Sequence, residues 1–142
     1  MDIVGIGTEI VECLRVGRMI ERHGERFLTR VYTERELQFC QSRRHSREHF
    51  AERWAAKEAV LKALALRWHR GLNWIDIEVT TVATAEARAQ LSGAVRAAAE
   101  ARGVGVVLLS VSHCRAYAVA HAVALRGPAP AGPPDLPSLP AR

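Results

Sequence analysis

The first hydrophobic segment of the chain is short and carries two glycines. Residues 2–7 (DIVGIG) form an almost continuous apolar run, which predicts a buried strand that another backbone can approach closely. Thr8 follows as a candidate N-cap, so we expect a helix that begins there and ends at Gly24.

Two further helices are predicted in the middle of the chain. Thr33 and Glu36 have the spacing of a capping box, which predicts a helix over residues 34–42. Residues 46–66 contain no helix breaker and predict a longer helix. Its large apolar side chains recur at helical spacing: Phe50, Trp54, Leu61 and Leu64.

The second half of the chain switches between strand and helix patterns. Residues 74–82 (WIDIEVTTV) alternate apolar and polar side chains, as a half-buried strand does, and residues 85–102 are rich in alanine and predict a helix. Residues 104–111 and 116–125 are two apolar strands with a short connection, which indicates an antiparallel hairpin. The sum is an α+β fold, an antiparallel sheet with helices packed on one side.

Composition narrows the class of protein. The chain has 142 residues, 49% of them hydrophobic and 25% charged, which is typical of one globular domain. It has no apolar run long enough to cross a membrane, and its first residues lack the pattern of a signal peptide, so we expect a cytoplasmic protein. Its three cysteines have neither disulfide-scaffold nor zinc-motif spacing.

Proline marks the end of the predicted domain. All six prolines lie beyond residue 126, in a stretch with few large apolar side chains. We therefore expect a folded domain over residues 1–126 and a disordered, proline-rich tail over residues 127–142.

Positive charge is concentrated near the N-terminus. Residues 15–47 hold nine arginines and four glutamates, a balance that equals the net charge of +5 for the whole chain. Such a surface attracts an anionic partner, or it is simply a solvated helix face. Only two basic residues of the chain are lysines, Lys57 and Lys62.

These lysines belong to a group of charged residues in the long predicted helix. Arg53 and Lys57 are four residues apart, as are Glu58 and Lys62. A carboxylate flanked by cations can hold Mg²⁺ while the cations contact phosphates. A lattice of surface ion pairs explains the same spacing, and both interpretations stay open here.

Two other places carry candidate chemistry. Glu9 and Glu12 follow the first strand. A carboxylate there can project into a functional site, or it can only stabilise the N-terminus of the next helix through the helix dipole. His113 follows Ser110 and Ser112 at a predicted strand end, where it can contact a phosphate, transfer a proton or lie in a turn. A phosphate-binding Walker loop is absent from the sequence.

Five sequence segments, in this order and at these distances, resemble one enzyme family. They are GIGTEIVE (5–12), FLTRVYTERELQFC (27–40), HFAERWAAKEAVLKAL (49–64), WIDIEV (74–79) and SVSHCRAYAVA (110–120). Together they resemble the holo-acyl-carrier-protein synthases, which are small 4′-phosphopantetheinyl transferases. The resemblance covers residues 2 to about 125.

The resemblance implies a reaction and a set of site residues. The family moves 4′-phosphopantetheine from coenzyme A to a serine of apo acyl carrier protein and releases 3′,5′-ADP. It implies that Glu9 and Glu58 bind magnesium and that Glu58 and Lys62 are catalytic. Contacts to the coenzyme A phosphates are implied for four basic residues: Arg53, Lys57, Lys62 and His113.

The resemblance also implies partners. Arg15, Met19 and Arg22 match positions that dock the acidic helix of the carrier protein. The family is typically a homotrimer with active sites at subunit interfaces. We therefore expect a cytoplasmic trimer that acts in fatty acid biosynthesis and has neither a membrane nor a nucleic acid as its partner.

Two departures from the family pattern keep alternatives open. Glu9 stands where the family usually has aspartate, and the stretch ALRWHRGLNW has one glycine, Gly71, where the family has a glycine-rich GTG segment. A catalytically silent paralogue that binds coenzyme A or a carrier protein is one alternative. A nucleic-acid-binding module is another, which the aromatic content of 6% disfavours. The base that takes the serine proton is either Glu58 or a metal-bound water.

Overall fold

The computed structural model describes residues 2–81 and 86–128. Their strands are β1 (Ile3–Glu12), β2 (Ile77–Thr81), β3 (Ala87–Leu91), β4 (Val104–His113) and β5 (Tyr117–Arg126). Their helices are α1 (Cys13–His23), α2 (Glu25–Val31), α3 (Glu34–Gln41), α4 (Ser46–Ala63) and α5 (Gly93–Ala101). The strands form one antiparallel sheet in the order β1-β5-β4-β3-β2, and the predicted α+β class is confirmed.

The prediction of a helix from Thr8 is wrong, because β1 continues to Glu12. Thr8 pairs with His121 of β5, and the ladder runs on without a break to the pair of Glu12 and Tyr117. This pairing satisfies backbone groups that a helix would otherwise have to satisfy. Helix α1 then begins at Cys13 and ends at His23, with Gly24 capping it as predicted.

Other boundaries also differ from the prediction. The alanine-rich stretch predicted as one helix contains β3 and then α5, because pairing of β3 with β2 outweighs the helix propensity of alanine. Helix α2 was not predicted, whereas the capping box of Thr33 and Glu36 and the β4–β5 hairpin are confirmed. Residues 129–142 of the predicted tail lie outside the described residues.

The two faces of the sheet differ in the size of their side chains. On the inner face, β5 presents only small residues, which α4 covers: Ala118, Ala120, Ala122 and Ala124. On the outer face, Ile6, Val123 and Leu108 stand in one row across three strands, and Ile6 and Leu108 are exposed. Among residues 2–81 and 86–128, no helix is both long and apolar enough to cross a bilayer.

Helix α4 packs against β1 almost backbone to backbone. A Cβ atom at Gly5 would collide with the carbonyl of Ala63, and one at Gly7 would collide with the carbonyl of Ala59. Glycine is therefore needed at both positions for the helix and the strand to come this close. This contact places Glu9, two residues after Gly7 on β1, beside the part of α4 that carries Glu58 and Lys62.

A buried ion pair fixes the other side of α4. Lys57 and Glu36 are almost fully buried, and the Lys57 Nζ lies 2.7 Å from the Glu36 Oε1. Lys57 also donates to the carbonyls of Trp74 and Ile77, and Glu36 accepts from the backbone N–H of Val79. The pair thus connects α4, α3 and β2 through hydrogen bonds that occupy all three ammonium protons.

We expect Lys57→Met to lower the free energy of unfolding by about 3–5 kcal/mol, because it leaves the Glu36 carboxylate buried without its cation. Arg96→Met is the matched control: Arg96 lies 2.8 Å from Glu100, but both side chains are about half exposed, and the cost should stay below about 0.5 kcal/mol. Urea unfolding measures both values. Equal stability of the two variants would show that the buried pair does not hold α4.

Candidate active site

Two carboxyl groups from different elements meet where β1 passes α4. Glu9 of β1 and Glu58 of α4 lie within hydrogen-bonding reach of each other. The Lys62 Nζ, one turn after Glu58, lies 2.7 Å from the Glu9 Oε2 and donates to the Thr8 carbonyl at 3.1 Å. The Trp54 side chain acts to lower the pKa of Glu58, and both residues line the same cavity. The cluster therefore combines two acids, an exposed ammonium group and an indole ring.

The two acids have pKa values that move in opposite directions. Burial, together with the neighbouring Glu9, raises the pKa of Glu58 to about 7. Burial also acts to raise the pKa of Glu9, but hydrogen bonds with Lys62 and Glu58 outweigh it, and the pKa falls below 4.5. Near neutral pH this pair can hold one proton between its two acids, or a cation in its place.

A small surface cavity connects these acids to α1. Its volume is about 70 Å³, and Glu9 and Glu58 line it together with Arg15, Met19 and Trp54. The structure thus brings the predicted metal ligands and two of the predicted carrier-docking residues to one opening. Arg22, the third residue predicted to dock the carrier protein, does not line the cavity and is exposed one turn further along α1.

Arg53 and Lys57 do not line this cavity, and their contacts to coenzyme A phosphates stay a prediction. Lys57 is enclosed by the ion pair described above. The guanidinium of Arg53 is buried over the ring of Phe39, 3.9 Å from its centroid, and donates to the Thr81 Oγ1 at 3.1 Å. Helical spacing placed both cations on the same helix as Glu58 but could not show which side faces the interior.

His113 lies on the inner face of the sheet but away from the two acids. It ends β4, and in the register it pairs with Ala118, which in turn pairs with Val11 of β1. Its Nδ1 lies 2.5 Å from the Glu52 Oε1, and its side chain is 28% exposed. Two strand spacings, roughly 10 Å, therefore separate the backbone of His113 from β1.

A sequence profile matches most of the chain. It describes the 4′-phosphopantetheinyl transferase superfamily and covers residues 5–121. The chain belongs to this superfamily. The resemblance expected from the five sequence segments is thereby confirmed.

Individual members of the superfamily give the same result. A holo-[acyl-carrier-protein] synthase of Rhodopirellula baltica is 44% identical over 124 residues, which cover 87% of this chain and 98% of that protein. One from Gloeobacter violaceus is 46% identical over 116 residues, or 81% of this chain and 87% of that protein.

Solved structures of the superfamily also superpose on this fold. The synthase of Neisseria meningitidis has a TM-score of 0.80 at 29% identity and covers 88% of this chain and 100% of that one. The Helicobacter pylori synthase, solved in complex with coenzyme A, has a TM-score of 0.74 at 25% identity and covers 84% and 99%.

The two places where the sequence departs from the expected pattern make specific contacts in this chain. Glu9, despite its extra methylene, contacts Glu58 and the Lys62 ammonium. In the stretch that replaces the glycine-rich segment, Trp68 stacks on Trp74 with ring centroids 5.9 Å apart. The side chains of this stretch that could reach a ligand are exposed: Arg67, Trp68, His69 and Arg70.

Sequence reasoning missed two contributors to the site region. Trp54 was interpreted only as a core residue, yet it lines the cavity with Glu58 and acts on the pKa of that carboxyl group. Glu52 was not considered, although it holds His113. Their signal was spacing: Trp54 lies four residues before Glu58, while Glu52 meets His113 only through the tertiary fold.

We expect Glu58→Gln to raise the free energy of unfolding of the metal-free protein by about 1 kcal/mol at pH 8 and by much less at pH 5. The folded-state pKa of Glu58, about 7, lies above its ordinary 4.5. The ionised carboxylate therefore costs stability above pH 7, and this cost disappears as the pH falls towards 4.5.

Urea unfolding in EDTA at both pH values measures this difference. Glu21→Gln, on the exposed surface of α1, is the control and should change stability equally at pH 5 and pH 8. A stability gain of Glu58→Gln that is independent of pH would contradict the raised pKa.

Proposed function

We propose that this chain is a holo-acyl-carrier-protein synthase, which transfers 4′-phosphopantetheine from coenzyme A to a serine of apo acyl carrier protein and releases 3′,5′-ADP. The observation that carries the proposal is the meeting of Glu9, Glu58 and Lys62 at a cavity that Arg15 and Met19 also line. Relatives that bear this name cover nearly the whole described fold. Its proposed setting is fatty acid biosynthesis in the cytoplasm.

The carboxyl pair fits magnesium. Mg²⁺ in phosphoryl-transfer sites takes one or two carboxylates and completes its shell with phosphate and water oxygens. Glu9 and Glu58 supply those carboxylates. Burial, and after it the neighbouring Glu9, raises the pKa of Glu58, and a bound cation would favour the ionised form of both acids. When bound, magnesium would neutralise charge on the pyrophosphate of coenzyme A.

The remaining groups of the cluster suit an in-line transfer. The serine Oγ forms a bond to the β-phosphorus, and the bond from that phosphorus to the bridging oxygen breaks with its electron pair leaving on 3′,5′-ADP. Lys62 is more than half exposed, so its ammonium group can move from Glu9 to a phosphate oxygen. The serine proton needs an acceptor, for which Glu58 is the candidate within this chain.

Helix α1 offers a docking face beside this opening. Arg15, Met19 and Arg22 follow one another at helical spacing, so they share one side of α1. An acidic helix of the carrier protein would be attracted by the two arginines and would pack on the methionine. That placement brings the carrier serine to the cavity with Glu58.

We further propose a homotrimer. The cavity of about 70 Å³ holds only a few water molecules, so a single chain does not enclose coenzyme A. Beside it, the outer face of the sheet exposes large apolar side chains: Ile3, Ile6, Ile10, Val106, Leu108 and Tyr117. Because Ile10 also lines the cavity, neighbouring copies that cover this face would add walls to the site. The molar mass in solution tests this assembly directly.

His113 has a place in this assembly as a proposed phosphate contact. Its ring is partly exposed at the end of β4, and Glu52 fixes its orientation. The distance from the Glu9–Glu58 pair suits a different phosphate of coenzyme A, one that magnesium does not hold.

The transferase reaction is tested by intact-mass spectrometry of an apo acyl carrier protein incubated with this protein, coenzyme A and Mg²⁺. We expect a mass gain of one phosphopantetheine group that EDTA prevents. Glu58→Ala should lower the rate at least about 100-fold because it removes a metal ligand, whereas Glu100→Ala on the exposed side of α5 should not. No transfer by folded protein that still binds coenzyme A would favour a silent paralogue.

The docking face is tested by the charge reversal Arg15→Glu. We expect the Kd for apo carrier protein to rise at least about tenfold while the Kd for coenzyme A changes less than about twofold, because the lost attraction concerns the acidic helix. Arg102→Glu, the same charge change after α5, is the control. Equal losses of both affinities in Arg15→Glu would contradict a docking role.

A further inference from the structure

A polar row crosses the middle of the apolar outer face of the sheet. His121 of β5 pairs with Thr8 of β1 on one side and with Ser110 of β4 on the other, so the three side chains share one face. The His121 Nδ1 lies 3.1 Å from the Thr8 Oγ1. All three residues are exposed in the single chain, and the proposed reaction gives them no part.

The rows on either side of the His121 row are mostly apolar. One contains Ile6, Val123 and Leu108, and the other contains Ile10, Val119 and Ser112. The large side chains of the outer strands in these rows are exposed, and they gain free energy when another surface covers them. A surface that covers both neighbouring rows also covers His121.

The charged and titratable groups of the outer face lie further from His121. Glu12 and Tyr117 form the last pair of β1 and β5, four residues along each strand from the His121 row. On β3 and β2, the charged residues of this face are Arg88 and Glu78. Within β1, β4 and β5, neither the His121 row nor a neighbouring row holds a carboxylate that could neutralise a protonated ring.

The charged groups of α4 lie across the sheet from the His121 ring. Helix α4 packs against the inner face of β1 and β5. Its Lys62 donates to the backbone carbonyl of Thr8, and its Glu58 contacts Glu9. Neither group of α4 therefore shares the outer face with the imidazole.

We propose that His121 makes the assembly of this chain into its homotrimer dependent on pH, so that the trimer forms with neutral histidines and dissociates when they gain protons. The inference rests on the proposed homotrimer, in which copies of this chain cover the outer face. Charge favours a copy as the occupant. The chain has a net charge of +5, yet the rows around His121 carry no charged residue, so copies can approach there without repulsion.

The two forms of the imidazole differ in how well they tolerate burial. A neutral ring can be covered while it shares a hydrogen bond with the Thr8 hydroxyl. A protonated ring carries a full charge, and covering it without a carboxylate partner costs much more free energy. A histidine in water changes its charge at about pH 6.5. As the pH falls through that value, the separate chain gains a proton that the covered ring does not accept, and separate chains are favoured.

The test is sedimentation velocity of the full chain without coenzyme A, at pH 8 and pH 5.5 and constant ionic strength. Between these values the neutral fraction of a histidine in water falls about tenfold, so three copies should weaken the association constant of the trimer about 1,000-fold. At a chain concentration that just completes the trimer at pH 8, we expect separate chains at pH 5.5. Circular dichroism at both pH values confirms that the chain is folded.

Two variants remove the titrating group. His121→Gln and His121→Leu cannot gain a proton, and we expect both to stay trimeric at pH 5.5. His23→Gln, which changes an exposed histidine at the end of α1, is the control and should dissociate as the wild type does. All three variants retain Glu58, whose pKa of about 7 lies in the same range, so a dissociation caused by the carboxyl pair would persist in them.

The outcomes separate this inference from the proposals on which it rests. A wild-type trimer that is equally tight at both pH values would overturn it, and so would His121 variants that dissociate with the wild-type pH dependence. If both His121 variants are separate chains at pH 8, proton uptake decides, because fewer than about one proton gained per wild-type trimer on dissociation contradicts a titrating His121. Separate wild-type chains at pH 8 would overturn the homotrimer and this inference with it, whereas the transfer assay by mass spectrometry reports on the reaction independently.

Discussion

The candidate site depends on how closely helix α4 can approach strand β1. Gly5 and Gly7 remove the side chains that would collide with the carbonyls of Ala63 and Ala59. Only at that distance can Glu9, two residues beyond Gly7, reach Glu58 and Lys62. The glycines of the first strand therefore set the backbone spacing that brings the two acids together.

Helix α4 carries a different kind of charge pair on each of its two sides. Towards the interior, Lys57 meets Glu36 in a pair whose hydrogen bonds are satisfied by backbone carbonyls and N–H groups. Towards the cavity, Glu58 is partly buried beside a second acid, and burial together with that acid raises its pKa. The first arrangement stabilises the fold, and the second leaves an unfavourable charge pair that a ligand can relieve.

Much of this architecture could be predicted from the sequence, but which side chains point to the interior and which to solvent could not. The helix of residues 46–66, the capping box and the final hairpin follow from local patterns, and so does the α+β class. The end of β1 was misplaced because its partner, β5, lies more than a hundred residues away. Lys57 and Lys62 are five residues apart, so they face different sides of the helix. Only packing decides which of the two sides is buried.

The Lys57–Glu36 pair also limits how this protein can evolve. Each partner is buried, so a change in either one alone leaves an isolated charge or an unfilled ammonium pocket in the interior. Routes to an apolar pair, which can be equally stable, must pass through such an intermediate. We therefore expect descendants of this chain to keep or lose the two residues together, because replacing only one of them destabilises the fold.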